Sequence, residues 1–272
     1  MVHNNNESSA VKILHLYKDL MNLYGDWANP AILARELEAR GYAAKIDCVS
    51  VGDRMDFGAY DFIYIGSGTE RSLNACLRDL KRCSDALLGC IEDGARVLAT
   101  GNSHELFGRA VTEADGKRFE TLGLLDFETR RQDTRVTGDC VVKADFLQDK
   151  LVGFINRAGG GQEGGVERPF LAELGPDAGK TPDAVETPGA GKKPGAGETP
   201  GAEGIKYKNL LGTYMTGPVL VRNPPLLKYI ADQLRPGSER VQAGGDPLFG
   251  YQEAAYRMAL SELSARIGAQ ST

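Results

Sequence analysis

Nucleophilic catalysis in an α/β protein needs a thiol or hydroxyl at a sharp strand-to-helix turn, with a proton acceptor beside it. The stretch Val97 to Gly108, VLATGNSHELFG, has that outline: a buried strand, a turn, and the start of a helix. Ser103 within GNSHE has a passing likeness to the Gly-x-Ser-x-Gly elbow of serine hydrolases, but Glu105 stands where the second glycine belongs. His104 follows Ser103 directly, so on a starting helix the two side chains diverge by about 100° and are badly placed to share a proton.

Other reactive groups read as structural. The five cysteines, Cys48, Cys76, Cys83, Cys90 and Cys140, form no C-x-x-C pair and have no histidine at ligand spacing, as expected of reduced thiols in a packed interior. Cys90 falls on the core-facing side of an amphipathic helix. The only histidines are His3, His15 and His104; His15 ends the first strand near the mouth of the sheet, where a satisfied structural imidazole is the simpler reading. Asp19 and Asp26 flank LMNLYG without a third metal ligand, which suggests a solvated or partner-facing loop. GPDAGKT, Gly175 to Thr181, imitates a phosphate-binding loop. It has three residues between its glycines where the motif needs four, and Pro182 removes a donor where a helix should open.

The elements that would position these groups alternate. VKILHL (Val11 to Leu16), AKIDCVSV, FIYIG and Arg96 to Thr100 are strands, separated first by YKDLMNLYGDWANPAILARELEARG, whose apolar positions recur at helical spacing through Ile32, Leu33 and Leu37 before Gly41, and then by the amphipathic helix Leu73 to Glu92. His104 to Val111 reads as a further helix. Such alternation predicts a parallel sheet covered on both faces, with ligands at the carboxyl ends of its strands. Beyond residue 120 the pattern turns to β, in LGLLDFETR, RVTGDCVVKAD and LVGFI. The Gly/Pro/Ala-rich stretch 175–204 has too little to bury to offset its ordering entropy, and predicts a disordered insertion. Gly250 to Ile267 predicts a closing helix. The expected organisation is a disordered start (1–10), one domain (11–237) interrupted at 175–204, and a helical tail (238–272).

A chain of 272 residues with 42% hydrophobic content can bury one good core. Its net charge of −5 offers no basic surface for nucleic acid or anionic membrane. No apolar run has the length of a signal sequence or a membrane span, so the expected setting is the cytoplasm.

Six segments, HLYKDLMNLYGDWAN, FIYIGSGTERSL, IEDGARVLATGNSHELFG, TLGLLDFETRRQDTRVTGD, LVGFINRAGG and YKNLLGTYMTGPVLVRNP, resemble in order and spacing the GatD-like glutamine amidotransferase subunits of lipid II isoglutaminyl synthases. These belong to the CobB/CobQ-like branch of class I amidotransferases, and the likeness covers about residues 11 to 157 and 204 to 234. It implies a three-layer, flavodoxin-like α/β fold with a mostly parallel sheet and calls for no cofactor. It also implies a heterodimer with a MurT-like Mur-ligase-family protein, which amidates the D-glutamate of the peptidoglycan stem peptide with ammonia released from glutamine. That release needs a cysteine thiolate at the elbow and a histidine to move the proton.

Neither residue is present. Setting Gly108 on the last glycine of the family elbow, Cys-Gly-Gly-Tyr-Gln-x-x-Gly, puts Gly101 at the nucleophile position. The motif Gly-Thr-Tyr-x-His-Gly-Pro reads Gly212 to Pro218 with Thr216 at the histidine position, and no histidine follows residue 104. The family's GFENH is GFINR, with Ile155 for glutamate and Arg157 for histidine. Arg135 falls on the arginine that holds the substrate carboxylate, and Gly66, Ser67 and Gly68 on the loop beside the oxyanion site. Three functions stay open: a degenerate subunit that scaffolds or regulates the ligase, a working glutaminase with relocated groups, and a stand-alone protein that binds glutamine or another small carboxylate.

Overall fold

The computed structural model describes residues 10–175, 201–241 and 246–269. In chain order the elements are β1 (Val11–Leu16), α1 (Ala28–Ala39), β2 (Ala44–Val49), β3 (Phe62–Ile65), α2 (Glu70–Leu80), α3 (Ser84–Glu92), β4 (Arg96–Thr100) and a 3-10 turn over Gly101–Phe107. Then follow β5 (Ala110–Thr112), β6 (Arg118–Glu120), β7 (Phe127–Ala144), β8 (Leu151–Gly164), β9 (Phe170–Leu174), β10 (Gly201–Glu203), β11 (Ile205–Tyr207) and β12 (Leu210–Thr213). Three helices close the chain: α4 (Val219–Arg222), α5 (Pro224–Leu234) and α6 (Pro247–Gly268).

The first sheet has the order β11-β12-β4-β3-β1-β2, and only β11 runs antiparallel to its neighbour. Because side chains alternate along a strand, its apolar runs feed two cores. Ile13, Tyr64 and Leu98 pack with Leu33 and Leu37 of α1 and Leu227 and Ile230 of α5. Leu14, Ile63, Ile65 and Val97 pack with Leu73 and Leu77 of α2 and Leu87 and Ile91 of α3 on the other face. The expected three-layer α/β arrangement is present.

The β-rich half forms a second sheet, β10-β9-β7-β5-β6, with β8 also on β7. Its spine is the long β7–β8 hairpin, paired from Val142↔Leu151 to Phe127↔Gly164 and interrupted by a bulge between Gln132 and Arg135. A bulge bends its strand and re-aims the next side chain, and here that residue is Arg135. The hairpin docks on the first sheet just beyond β12, where Ile155 bridges Met215 and the Thr216 N–H donates to the Phe154 carbonyl (2.9 Å).

Three elements differ from the sequence expectation. Leu73 to Glu92 is two helices, α2 being capped by the Thr69 hydroxyl, which accepts from the Ser72 N–H (3.1 Å). The segment before Ala28 is a loop, not the first turns of α1. His104 to Val111 is the end of a 3-10 turn followed by β5, because the Arg109 N–H is taken by the Phe127 carbonyl (2.8 Å), which pulls the chain into the second sheet. Residues 176–200 of the low-complexity stretch lie outside the described residues, and Gly201–Glu203 at its end pair with β9. No helix among the described residues is long and apolar enough to cross a membrane.

Candidate functional site

Gly101 sits at the carboxyl end of β4 with φ +63°, a left-handed conformation that glycine adopts without strain. Its N–H donates to the Met215 carbonyl (3.0 Å). The elbow therefore exists as a backbone feature. What faces it is Ser67: a Cβ built on Gly101 would stand 2.4 Å from the Ser67 Cβ and 3.3 Å from its Oγ.

Ser67 is fixed there by Asp26. Its hydroxyl reaches both carboxylate oxygens of Asp26 at 3.0 Å, and its N–H donates to Oδ1 at 3.2 Å. Asp26 is fully buried and also accepts from the Thr100 hydroxyl (3.2 Å) and the Tyr24 N–H (3.0 Å). The sequence suggested a solvated loop for Asp26. That reading is corrected: its carboxylate gathers donors from three segments, at Tyr24, at Tyr64 and Ser67, and at Thr100, which is how a buried charge is kept satisfied. On either side of Ser67 a side chain is excluded, since a Cβ on Gly66 would meet the Met21 carbonyl at 2.4 Å and one on Gly68 the Met21 sulfur at 2.5 Å.

Asn102, the next residue of the elbow, binds Gly68 reciprocally. Its Oδ1 accepts from the Gly68 N–H (3.1 Å) and its Nδ2 donates to the Gly68 carbonyl (2.8 Å). A backbone donor beside the elbow is thereby spent on a side chain.

The remaining sequence candidates are placed as follows. Thr216 is buried, and its hydroxyl donates to the Phe154 carbonyl (3.1 Å). Ser103 is buried, with its hydroxyl against the carbonyls of Thr100 (2.9 Å) and Ile65 (3.1 Å). His104 does not meet it. The imidazole Nδ1 lies 2.8 Å from the Gly101 carbonyl, so Nδ1 carries the proton, and Nε2 is buried without a hydrogen-bond partner among the described residues. Burial, first of all, lowers the His104 pKa to about 3, so the ring is neutral. His15 is likewise buried and lowered to about 4 by desolvation; it packs edge-on against Tyr64 and does not line the cleft. Cys90 donates to the Leu87 carbonyl (3.0 Å) within α3, and burial raises its thiol pKa to about 11. Among the described residues no group of three or more His, Cys, Asp or Glu could hold a metal ion.

A cleft of about 120 Å³ opens beside the elbow, between the loop after β1, the β3–α2 loop and the β7–β8 hairpin. Arg135, Ser67, Gly68 and Thr216 line it, so the structure brings these four together, whereas Gly66 and Gly101 are not among its lining residues. Arg135 is exposed, and its Nε and Nη2 grip Asn156 Oδ1 (3.0 and 2.6 Å), whose Nδ2 in turn donates to the Tyr24 hydroxyl (2.8 Å). Arg157 donates through Nη1 to the carbonyls of Ala158 and Gly160 (both 2.9 Å) and stacks over the Tyr214 ring at 4.9 Å.

Sequence reasoning missed one strong feature of the cleft. Arg131 is buried and pairs with Glu105 (2.5 Å) and Glu113 (2.9 Å), while Glu105 also accepts from the Tyr214 hydroxyl (2.9 Å). Nothing local in sequence marks a partnership between residues 26 positions apart.

A parallel sheet with a left-handed elbow at the end of a central strand, a tight glycine loop facing it and an arginine-lined cleft define an α/β domain of the amidotransferase class. Residues 12–224 match the CobB/CobQ-like glutamine amidotransferase domain, and the chain belongs to that family. It is 29% identical over 221 residues to the GatD subunit of the glutamine-hydrolysing lipid II isoglutaminyl synthase of Staphylococcus aureus, covering 81% of this chain and 83% of that one. Against the GatD subunit of Streptococcus pneumoniae the identity is 30% over 217 residues, covering 79% and 77%. Among solved structures, the glutaminase domain of Trypanosoma brucei CTPS with bound acivicin superposes with a TM-score of 0.47 at 11% identity, covering 86% of this chain and 97% of that one.

Proposed function

We propose that the protein is a GatD-type subunit of a lipid II isoglutaminyl synthase that does not itself hydrolyse glutamine, and that it acts in the cytoplasm as scaffold or regulator of a MurT-like ligase. The subunit role is carried over from the two relatives, whose printed activity includes glutamine hydrolysis. The loss of hydrolysis rests on one observation above all. The space that a nucleophilic side chain at residue 101 would need is filled by Ser67, which Asp26 holds in place. A hydroxyl in place of the histidine at residue 216 cannot shuttle a proton near neutral pH.

A relocated Ser103–His104 pair has no support in the geometry, since each group spends its hydrogen bonds on backbone carbonyls. On this reading the ligase draws on free ammonia. The test is the complex purified with its MurT-like partner and given ATP and lipid II. Ammonium is expected to support amidation and glutamine is not. Amidation driven by glutamine in that purified complex would refute the proposal.

A further inference from the structure

We propose that the cleft is a binding site for a dicarboxylic amino acid of the glutamate class, and that Arg157 is the residue that sets this preference. The inference rests on the reading that the protein does not itself hydrolyse glutamine.

Five charged side chains line the cleft: Glu70, Glu105, Arg131, Arg135 and Arg157. Arg131 and Glu105 satisfy one another. Among the described residues neither Arg135 nor Arg157 has a carboxylate within ion-pair distance, although Arg157 feels the charge of the buried Glu203, and both guanidinium groups are held in fixed positions. Arg135 is steadied by Asn156, and Arg157 by two backbone carbonyls and the face of Tyr214. Among the described residues Arg157 Nε and Nη2 and Arg135 Nη1 have no acceptor. Pre-positioned guanidinium groups with open donors are suited to carboxylates, because a carboxylate offers two oxygens and a full charge.

A ligand side chain ending in a carboxamide fits this arrangement less well. Its NH2 group brings donors toward donors, and nothing nucleophilic remains at the elbow to engage its carbonyl carbon. The exposed carboxylate of Glu70, in the first turn of α2, has no ion pair among the described residues and supplies a counter-charge for an ammonium group. Two open guanidinium groups and one open carboxylate match a ligand with two carboxylates and one ammonium.

Calorimetric titration of the full-length protein with L-glutamate, D-glutamate, L-glutamine and glutarate tests this without reference to catalysis. At least one glutamate enantiomer is expected to bind 10-fold or more tighter than glutamine, with glutarate weaker for want of the ammonium. Arg157→Gln is expected to bring glutamate down to the level of glutamine, and Arg157→Lys to keep an intermediate preference. Thermal unfolding of each variant shows that the fold is retained. Glutamine binding as tightly as glutamate, no binding of either, or a preference that survives in folded Arg157→Gln would overturn the proposal. The outcome is separable from the functional reading, because ammonia release is measured in a different experiment.

Discussion

The Ser67 side chain and any side chain at residue 101 compete for one volume: a Cβ on Gly101 would approach the Ser67 Cβ to 2.4 Å. Cβ atoms do not approach so closely, so one of the two positions must lack a side chain. In this chain the elbow position lacks one, and the loop position carries a hydroxymethyl tied to a buried carboxylate. The absence of a side chain at residue 101 is therefore matched by the packing of two loops.

That packing predicts the result of attempted repair. Gly101→Cys should destabilise the protein by about 1–3 kcal/mol through overpacking, with about 1 kcal/mol more from forcing a side-chain-bearing residue into φ +63°. Adding Ser67→Gly should recover the overpacking part. A double-mutant cycle by chemical denaturation reads this as a coupling well above additivity. Gly101→Cys with Thr216→His should release no ammonia from glutamine while Ser67 is present, and release is expected only after Ser67→Gly clears the space.

Ser103→Ala separates a structural hydroxyl from a nucleophile. Ser103 donates only to backbone carbonyls, so its removal should cost about 1 kcal/mol and leave every activity of the complex unchanged. Denaturation midpoints and amidation rates check the two halves.

The buried pair below the cleft should be costly to break. Glu105→Ala leaves Arg131 with Glu113 alone and the Tyr214 hydroxyl without its acceptor, for a loss of about 3 kcal/mol. Glu105→Gln, which still accepts from Tyr214, should cost less. Equal costs for the two substitutions would show that the charge pairing with Arg131, and not the hydrogen bond from Tyr214, holds this corner.

Glu203 supplies a pH signature. It is buried beside the Thr213 hydroxyl (2.6 Å) and the Tyr214 N–H (2.8 Å), and burial outweighs these donors to raise its pKa from 4.5 to about 7. The folded state thus holds a proton that the unfolded chain releases above about pH 4.5. The stability this provides is complete below that pH, falls as pH rises toward 7, and stays lost above it. Glu203→Gln, permanently neutral, should be more stable than wild type at pH 8, by up to about 3 kcal/mol, and hold no such advantage near pH 5. Thermal unfolding at the two pH values decides it.

How much of this was legible in the letters depends on the range of the interactions involved. VKILHL, FIYIG and RVLAT are short apolar runs between turn signals, and their strand character is local, so the parallel sheet could be read directly. That residue 101 carries no side chain and residue 216 no imidazole was legible because it is a fact of the letters alone. The burial of Asp26 was not, because its donors come from residues 64, 67 and 100 and a polar loop looks solvated until those arrive. The turn after His104 failed as a helix for the same reason, its hydrogen bonds going to residues 122–127 instead of to its own next turn. Arg157 stood out as a departure from a motif, but only the structure placed it over Tyr214 and at the cleft.

The most direct measurement of the central claim is ammonia release from glutamine by the complex of this protein with its MurT-like partner, with ATP and lipid II present and a Gly101→Ala complex alongside. Release is expected to be no faster than the protein-free background for both. Release above background that Ser103→Ala or His104→Ala removes would contradict it, because the catalytic groups would then stand where the geometry shows only structural hydrogen bonds.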